Sequence, residues 1–177
     1  ELYDYYGIEY NLIFQRFLEK VQKKVDYKIL TAGIVAYRKI QQSLLMPYPK
    51  VVPILLQLKQ RGIKLAIVTD APRLKAWIRL TELGLADFFD TVVAFGDVRE
   101  RKPSKLPFQR ALRLLDLKAA DVLMVGDWPE RDIKGAKAMG IRSCFARYGY
   151  VGKVVPKTNA DYEIDALEEL LTIADGH

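Results

Sequence analysis

Val122-Leu-Met-Val-Gly-Asp-Trp-Pro-Glu-Arg-Asp132 is an apolar run that meets Gly126-Asp127 and reaches a second acid, Asp132, five residues later. The run reads as a buried strand, and Pro129 suits the first turn of a following helix, where its missing N–H costs nothing. One carboxylate therefore stands at a strand tip and another in the opening turn of the next helix. Two fixed carboxylates at the carboxyl end of an open α/β sheet make a seat for a hard divalent cation such as Mg²⁺. Asp127 and Asp132 would also favour the start of that helix through its dipole, so the pair alone does not decide between the two roles.

Outward from this stretch, helix and strand alternate. A helix over Lys50–Arg61 closes at Gly62, a fit for the left-handed position past a helix end. Strand Lys64–Thr69, a helix from Pro72 to Leu83, strand Thr91–Phe95 and helix Pro107–Leu115 precede the quoted run. Helix Pro129–Met139, strand Arg142–Ala146 and a short strand at Tyr162–Ile164 follow it. A last helix is introduced by Asp165 and Glu168, which are spaced as a capping pair. Leu65-Ala-Ile-Val68, Thr91-Val-Val-Ala94 and Val122-Leu-Met-Val125 are apolar without alternation, as strands covered on both faces are. The expected fold is α/β: a doubly wound, Rossmann-like parallel sheet with helices on both faces.

Before the Met46-Pro47-Tyr48-Pro49 break the pattern is helical only. Phe14, Phe17, Leu18, Val21 and Val25 recur at helical spacing, and Leu30, Ile34, Tyr37 and Leu44 do so on a second helix. This part is rich in tyrosine, with Tyr3, Tyr5, Tyr6, Tyr10, Tyr27 and Tyr37. The boundaries expected are an all-helical segment 1–46 and an α/β core 47–177.

Composition removes several classes of chemistry. The only histidine among the 177 residues is the terminal His177, so neither a histidine-based triad nor a histidine metal site can form within them. Cys144 is the only cysteine, which leaves no internal disulfide or cysteine zinc cluster. Neither Walker-type nor dinucleotide-type glycine loops occur. No apolar run reaches membrane-spanning length, and the expected location is cytoplasmic. The net charge of +6 is densest over Arg99–Lys105, with Arg147, Lys153 and Lys157 beyond it. Such a field attracts anionic substrates; nucleic acid is the weaker expectation, because no binding motif accompanies the charge.

Three features lie at strand ends and can converge. Thr69-Asp70-Ala71-Pro72 offers a hydroxyl and backbone N–H groups at a helix start, a phosphate seat or an ordinary cap. Lys102-Pro103 places an ammonium on a loop whose proline limits local freedom. Gly126-Asp127 and Asp132 complete the set.

Their order resembles the haloacid dehalogenase superfamily, in its phosphatase-like branch. Leu65-Ala-Ile-Val-Thr-Asp70 resembles that family's second motif, and Arg101-Lys-Pro-Ser-Lys-Leu-Pro-Phe-Gln-Arg-Ala-Leu112 its third. Gly126-Asp-Trp-Pro-Glu-Arg-Asp132, with Gly135-Ala136 and Met139-Gly140 after it, resembles the fourth. The resemblance covers residues 47–177 and implies a role for each position. Thr69 would bind phosphoryl oxygens through its hydroxyl and the neighbouring backbone N–H groups at Asp70 and Ala71, the role of the Asp70 carboxylate staying open; Lys102 would neutralise the phosphoryl group, Asp127 would hold Mg²⁺, and Asp132 would orient Lys102 or support the metal shell. An acid at position 127 favours phosphate hydrolysis over metal-independent carbon–halogen cleavage.

Two departures accompany the resemblance. The second motif commonly continues Asn-Gly, where this chain has Asp70-Ala71. The family's opening strand, ending in Asp-x-Asp-x-Thr with the nucleophile and the general acid/base, is found nowhere in the sequence. Gly96-Asp97 follows a strand but stands directly before the third motif and has no second acid two residues on. The resemblance thus implies that these residues belong to a longer protein, with 1–46 the remainder of a helical cap. It implies a Mg²⁺-dependent phosphomonoesterase working through an aspartyl-phosphate on a small phosphorylated substrate, with the chain inactive by itself. A metal-independent dehalogenase-like hydrolase remains open. So does a non-catalytic anion- or Mg²⁺-binding protein that uses its basic face for a partner.

Overall fold

The computed structural model describes residues 2, 5, 10, 12–152 and 154–176. Tyr3, Tyr6, Lys153 and His177 of the sequence reading lie outside them. The chain divides into two compact units, Glu1–Met46 and Pro47–His177.

In the first unit α1 spans Ile13–Gln22 and α2 spans Tyr27–Leu44. The Asp26 carboxylate caps α2, accepting the N–H groups of Lys28 at 2.9 Å and Ile29 at 3.2 Å. Leu18 and Leu30 are buried, and Phe14 meets Tyr37 edge to face with ring centroids 5.3 Å apart. The helical periodicity was legible, but Val25 falls beyond α1, and Phe17, Val21 and Leu44 are exposed.

The second unit is α/β, doubly wound and Rossmann-like. In order it contains α3 (Val51–Gln60), β1 (Ala66–Val68), α4 (Arg73–Glu82), β2 (Thr91–Val93), α5 (Phe95–Val98) and α6 (Lys105–Leu115). Then come β3 (Leu123–Gly126), a π-helical turn (Pro129–Ile133), α7 (Lys134–Ala138), β4 (Arg142–Ala146), β5 (Tyr162–Ile164) and α8 (Glu169–Ala174). Every strand pair is parallel: β1 with β2, β3 with β4, and β4 with β5. Among the described residues the strands form two hydrogen-bonded groups, β1-β2 and β3-β4-β5, so β1 and β3 each keep one edge unpaired.

Alternate residues of β3 explain the two covered faces. Met124 packs with Phe108 of α6 and Ala136 of α7, whereas Leu123 and Val125 pack with Cys144, Ile164 and Leu170 on the α8 side. On the other group, Leu65, Ile67 and Val92 pack against Leu55 of α3 and Leu80 of α4. Burying a side chain such as Ile164 or Phe145 contributes roughly 1.5–3 kcal/mol each. Gly62 and Gly140 end α3 and α7 with φ of +75° and +68°, a conformation that a Cβ would oppose.

Several boundaries differ from the sequence reading for local reasons. The strand expected to run to Phe95 stops at Val93, because the Asp97 carboxylate accepts the Ala94 N–H at 2.7 Å and starts the short α5. Pro72 stands just before α4 instead of inside it. The segment after Trp128 opens as a π turn, so the regular helix begins only at Lys134. At the last helix the carboxylate that reaches back is Glu169, accepting from Asp165 and Ala166; Glu168 pairs with Lys50.

A single carboxylate ties β4 to the approach of β5. Asp161 accepts the backbone N–H and the hydroxyl of Ser143, each at 2.7 Å, and Ser143 is fully buried. The Ser143 donors, hydroxyl first, hold the Asp161 carboxyl below the usual carboxylate range. Its stabilising contribution is present above that range and is lost as pH falls through the folded-state value. Asp161→Ala is expected to cost about 1–3 kcal/mol in urea unfolding at pH 7, since it strands buried donors. The cost shrinks toward pH 3; an equal cost at both pH values would contradict this account.

Candidate active site

The carboxyl ends of β1, β2 and β3 carry the polar residues. After β1, the Thr69 N–H donates to Val93 O at 2.9 Å, which extends the β1–β2 pairing by one residue. Thr69 Oγ1 then accepts the Ala71 N–H at 3.2 Å, so the hydroxyl caps its own turn and retains its proton for another acceptor.

Lys102 comes from the loop between α5 and α6 and joins to Pro103 through a cis peptide bond. Its ammonium donates to Val68 O at 2.9 Å, a carbonyl in the last residue of β1. It also lies 2.6 Å from Asp132 Oδ1, with the two side chains only 12% and 5% exposed. That contact is ionic and not a well-directed hydrogen bond, because Asp132 Oδ1 has no geometrically proper donor. The other oxygen, Asp132 Oδ2, accepts the Trp128 N–H at 3.0 Å. An ammonium has three donors. Val68 O takes one of them and Asp132 lies against the head as an ion pair, so donor capacity remains for a further anion.

Asp70 sits between the motifs. Its Oδ1 accepts the Lys102 N–H at 2.9 Å, and its Oδ2 lies 3.2 Å from the Arg131 guanidinium. Arg131 in turn lies over the Trp128 ring, 4.2 Å from the centroid. Neither Arg131 nor Trp128 was singled out from the sequence, although their i, i+3 spacing after β3 was visible there.

Asp127 remains open to solvent at the end of β3, and no ion pair among the described residues engages it. Partial desolvation, aided by the neighbouring Asp132 carboxylate, raises its pKa; its own backbone N–H and Lys102 oppose the shift. Solvent access keeps the effect small.

Two glycines permit this crowding. A Cβ on Gly126 would stand 2.4 Å from Asp132 Oδ2 and 2.5 Å from Asp132 Cβ. A Cβ on Gly149 would stand 2.7 Å from Asp127 Cβ. The backbone of β3 and of the turn after β4 therefore closes directly onto the two carboxylates. Gly149 too went unnoticed in the sequence, where nothing in its neighbourhood marks it.

Thus Lys102, Asp132 and the end of β1 meet directly, Asp70 joins them, and Asp127 couples to them electrostatically. Two other basic residues of the expected field have partners of their own. Arg147 is taken up by Glu163 and Asp165, and Arg101 lies over Phe95.

The sequence profile of haloacid dehalogenase-like hydrolases matches residues 1–146. The chain belongs to that family. It is 35% identical over 167 residues to a glyceraldehyde 3-phosphate phosphatase of Methanocaldococcus jannaschii, covering 94% of this chain and 73% of the relative. A phosphoglycolate phosphatase of Neisseria gonorrhoeae is 35% identical over 156 residues, covering 84% and 66% respectively. Among solved structures, the HAD-hydrolase YfnB of Bacillus subtilis, crystallised with magnesium, superposes with a TM-score of 0.73 at 26% identity. That match covers 93% of this chain and 70% of the other.

Two outcomes follow from the geometry. Gly126→Ala must displace Asp132 and loosen its contact with Lys102; a loss of about 1–3 kcal/mol in thermal unfolding is expected. For Asp127 the sign runs the other way, because a raised carboxyl pKa means that the folded state favours the proton and loses stability as pH rises. In metal-free buffer at pH 7, Asp127→Asn should raise the melting temperature by about 1–3 °C. The gain should vanish below the ordinary carboxylate range of about 3–4. A melting temperature unchanged at pH 7 would contradict the shift.

Proposed function

We propose that this chain forms most of a Mg²⁺-dependent phosphomonoesterase acting on a small phosphorylated substrate. The observation that carries the reading is the nearly buried Lys102 ammonium, held by Val68 O and the Asp132 carboxylate with donor capacity left over. A fixed cation that needs no rearrangement stabilises charge gathering on a transferring phosphoryl group. The relatives named as phosphatases support the same class.

The residues divide the work as follows. The Thr69 hydroxyl, whose proton is not needed for its own turn, donates to a phosphoryl oxygen. Lys102 neutralises a second oxygen, and Asp132 keeps that ammonium aimed. Ala71 contributes backbone at the start of the segment, although its N–H is already engaged by Thr69. The nucleophilic aspartate, which would form an aspartyl-phosphate, and the general acid/base would come from outside these 177 residues. The unpaired edges of β1 and β3 support a further strand between them, which would bring that aspartate beside Lys102. Residues 1–46 would serve as part of a helical cap.

The donor chemistry suits Mg²⁺. Asp127 is an accessible hard oxygen donor without a competing cation partner among the described residues. No group of three or more His, Cys, Asp or Glu side chains gathers as a metal site among them. A cation held by one or two carboxylates and completed by water and substrate oxygens is the habit of Mg²⁺. Bound there, it would supply charge neutralisation to the phosphoryl oxygens.

Among the described residues no helix is long and apolar enough to cross a membrane. The reading is tested on the full-length protein with p-nitrophenyl phosphate. Lys102→Ala and Asp127→Asn should each lower kcat by about 10²–10³-fold, and EDTA should abolish turnover until Mg²⁺ is restored. The polypeptide of residues 1–177 alone should turn over nothing. EDTA-insensitive release of halide from a haloacid would instead establish a metal-independent dehalogenase. Mg²⁺ or phosphate binding without turnover by the full-length protein would establish a non-catalytic binding role.

A further inference from the structure

Five contacts close into a ring at the carboxyl ends of β1 and β3. Asp70 Oδ1 accepts the Lys102 N–H at 2.9 Å, and Lys102 Nζ lies 2.6 Å from Asp132 Oδ1. Asp132 Oδ2 accepts the Trp128 N–H at 3.0 Å, and the Trp128 ring carries the Arg131 guanidinium at 4.2 Å. Arg131 returns to Asp70 Oδ2 at 3.2 Å. The ring crosses between the two strand groups, which share no hydrogen-bonded ladder among the described residues.

We propose that Asp70 is a positioning residue that sets the place of the Lys102 ammonium, with Arg131, stacked on Trp128, holding Asp70 to that task. The inference rests on the phosphatase reading for its kinetic consequences, though not for its geometry. A carboxylate beside an anion seat repels the substrate unless its charge is met. Both Asp70 oxygens are engaged, one by a backbone donor and one by a guanidinium, so the charge is met and the group is not left for a ligand. A lysine carries its ammonium on a flexible four-carbon stem, so the head is only as well placed as the backbone from which it springs. Asp70 fixes that backbone at its N–H, while Asp132 fixes the far end. The two carboxylates thus grip Lys102 at its root and at its tip. An Asn at position 70 keeps the acceptor for Lys102 N–H but loses the ion pair with Arg131; Ala loses both.

The full-length enzyme is assayed with p-nitrophenyl phosphate and Mg²⁺, and its lysine side chains are followed by ¹³C–¹⁵N NMR, the Lys102 signal being assigned by its loss in Lys102→Met. Asp70→Ala should lower kcat by about 10–100-fold, since a displacement near 1 Å is costly in a positioned site. KM should change by less than about threefold, because ground-state binding does not depend on the same aim. Asp70→Asn should recover kcat to within about threefold of wild type, and Arg131→Met should fall between the two. The Lys102 signal should move in Asp70→Ala and stay in place in Asp70→Asn. A merely structural role predicts a lower melting temperature without the kcat-specific loss or the rescue by Asn. The proposal is overturned by a Lys102 signal that stays put in Asp70→Ala, by near-normal kcat in that variant, or by an Asn variant as impaired as Ala. Should the wild type prove inactive, the phosphatase reading fails. The NMR signal then decides the positioning role alone: movement in Asp70→Ala supports it and constancy overturns it.

Discussion

An ammonium and a carboxylate, both nearly removed from water, face each other where the loops after β2 and β3 meet. Lys102 and Asp132 lie 2.6 Å apart with little exposure of either. Desolvating two charges is costly, and such a pair often contributes no more to stability than apolar residues of the same volume would. Its value lies in geometry. Once buried, neither partner can leave without stranding the other, so the loop of Lys102 and the π turn of Asp132 are locked to one another. That π turn widens the backbone just where Asp132 must turn inward, a use to which π segments are often put at functional sites. Gly126 makes room for it by having no side chain of its own.

The same constraint orders the charges around it. Asp127, one strand-end away, feels Asp132 as a like charge and Lys102 as an opposite one, and its pKa rises only because desolvation and Asp132 prevail. A carboxylate in that condition gains from meeting a cation. The sequence's excess of basic residues is less of a uniform field than the count of +6 implies, since Arg147 is held by Glu163 and Asp165. Local pairing decides which cations remain available to an anion, and Lys102 is held in place by Val68 O and Asp132.

Sequence reading placed two strands at the residues observed, Arg142–Ala146 and Tyr162–Ile164, although each carries polar residues. It erred where a side chain competes for the backbone. Asp97 ends β2 early by capping Ala94, and Glu169 displaces Glu168 in the last cap because its carboxylate reaches two N–H groups at once. Such contests turn on distances of tenths of an ångström, which no spacing rule resolves. At the site, the order of Thr69, Lys102, Asp127 and Asp132 was legible because each follows a strand, and strand ends in a parallel sheet share one edge. Asp70 could only be noted as an unusual acid, because its partners lie thirty-two and sixty-one residues away.

What the sequence determined by itself was therefore periodicity and order: unbroken apolar strands, helices between them, and polar residues at the ends where such sheets bind ligands. Those follow from local chemistry and chain direction. Tertiary structure decided which charges meet. It engaged both oxygens of Asp70, turned Asp132 onto Lys102, left Asp127 without a cation partner among the described residues and withdrew Arg147 from any shared field. Pairing energy depends on separation and on exclusion of water, and both are set only when segments far apart in the chain are packed together.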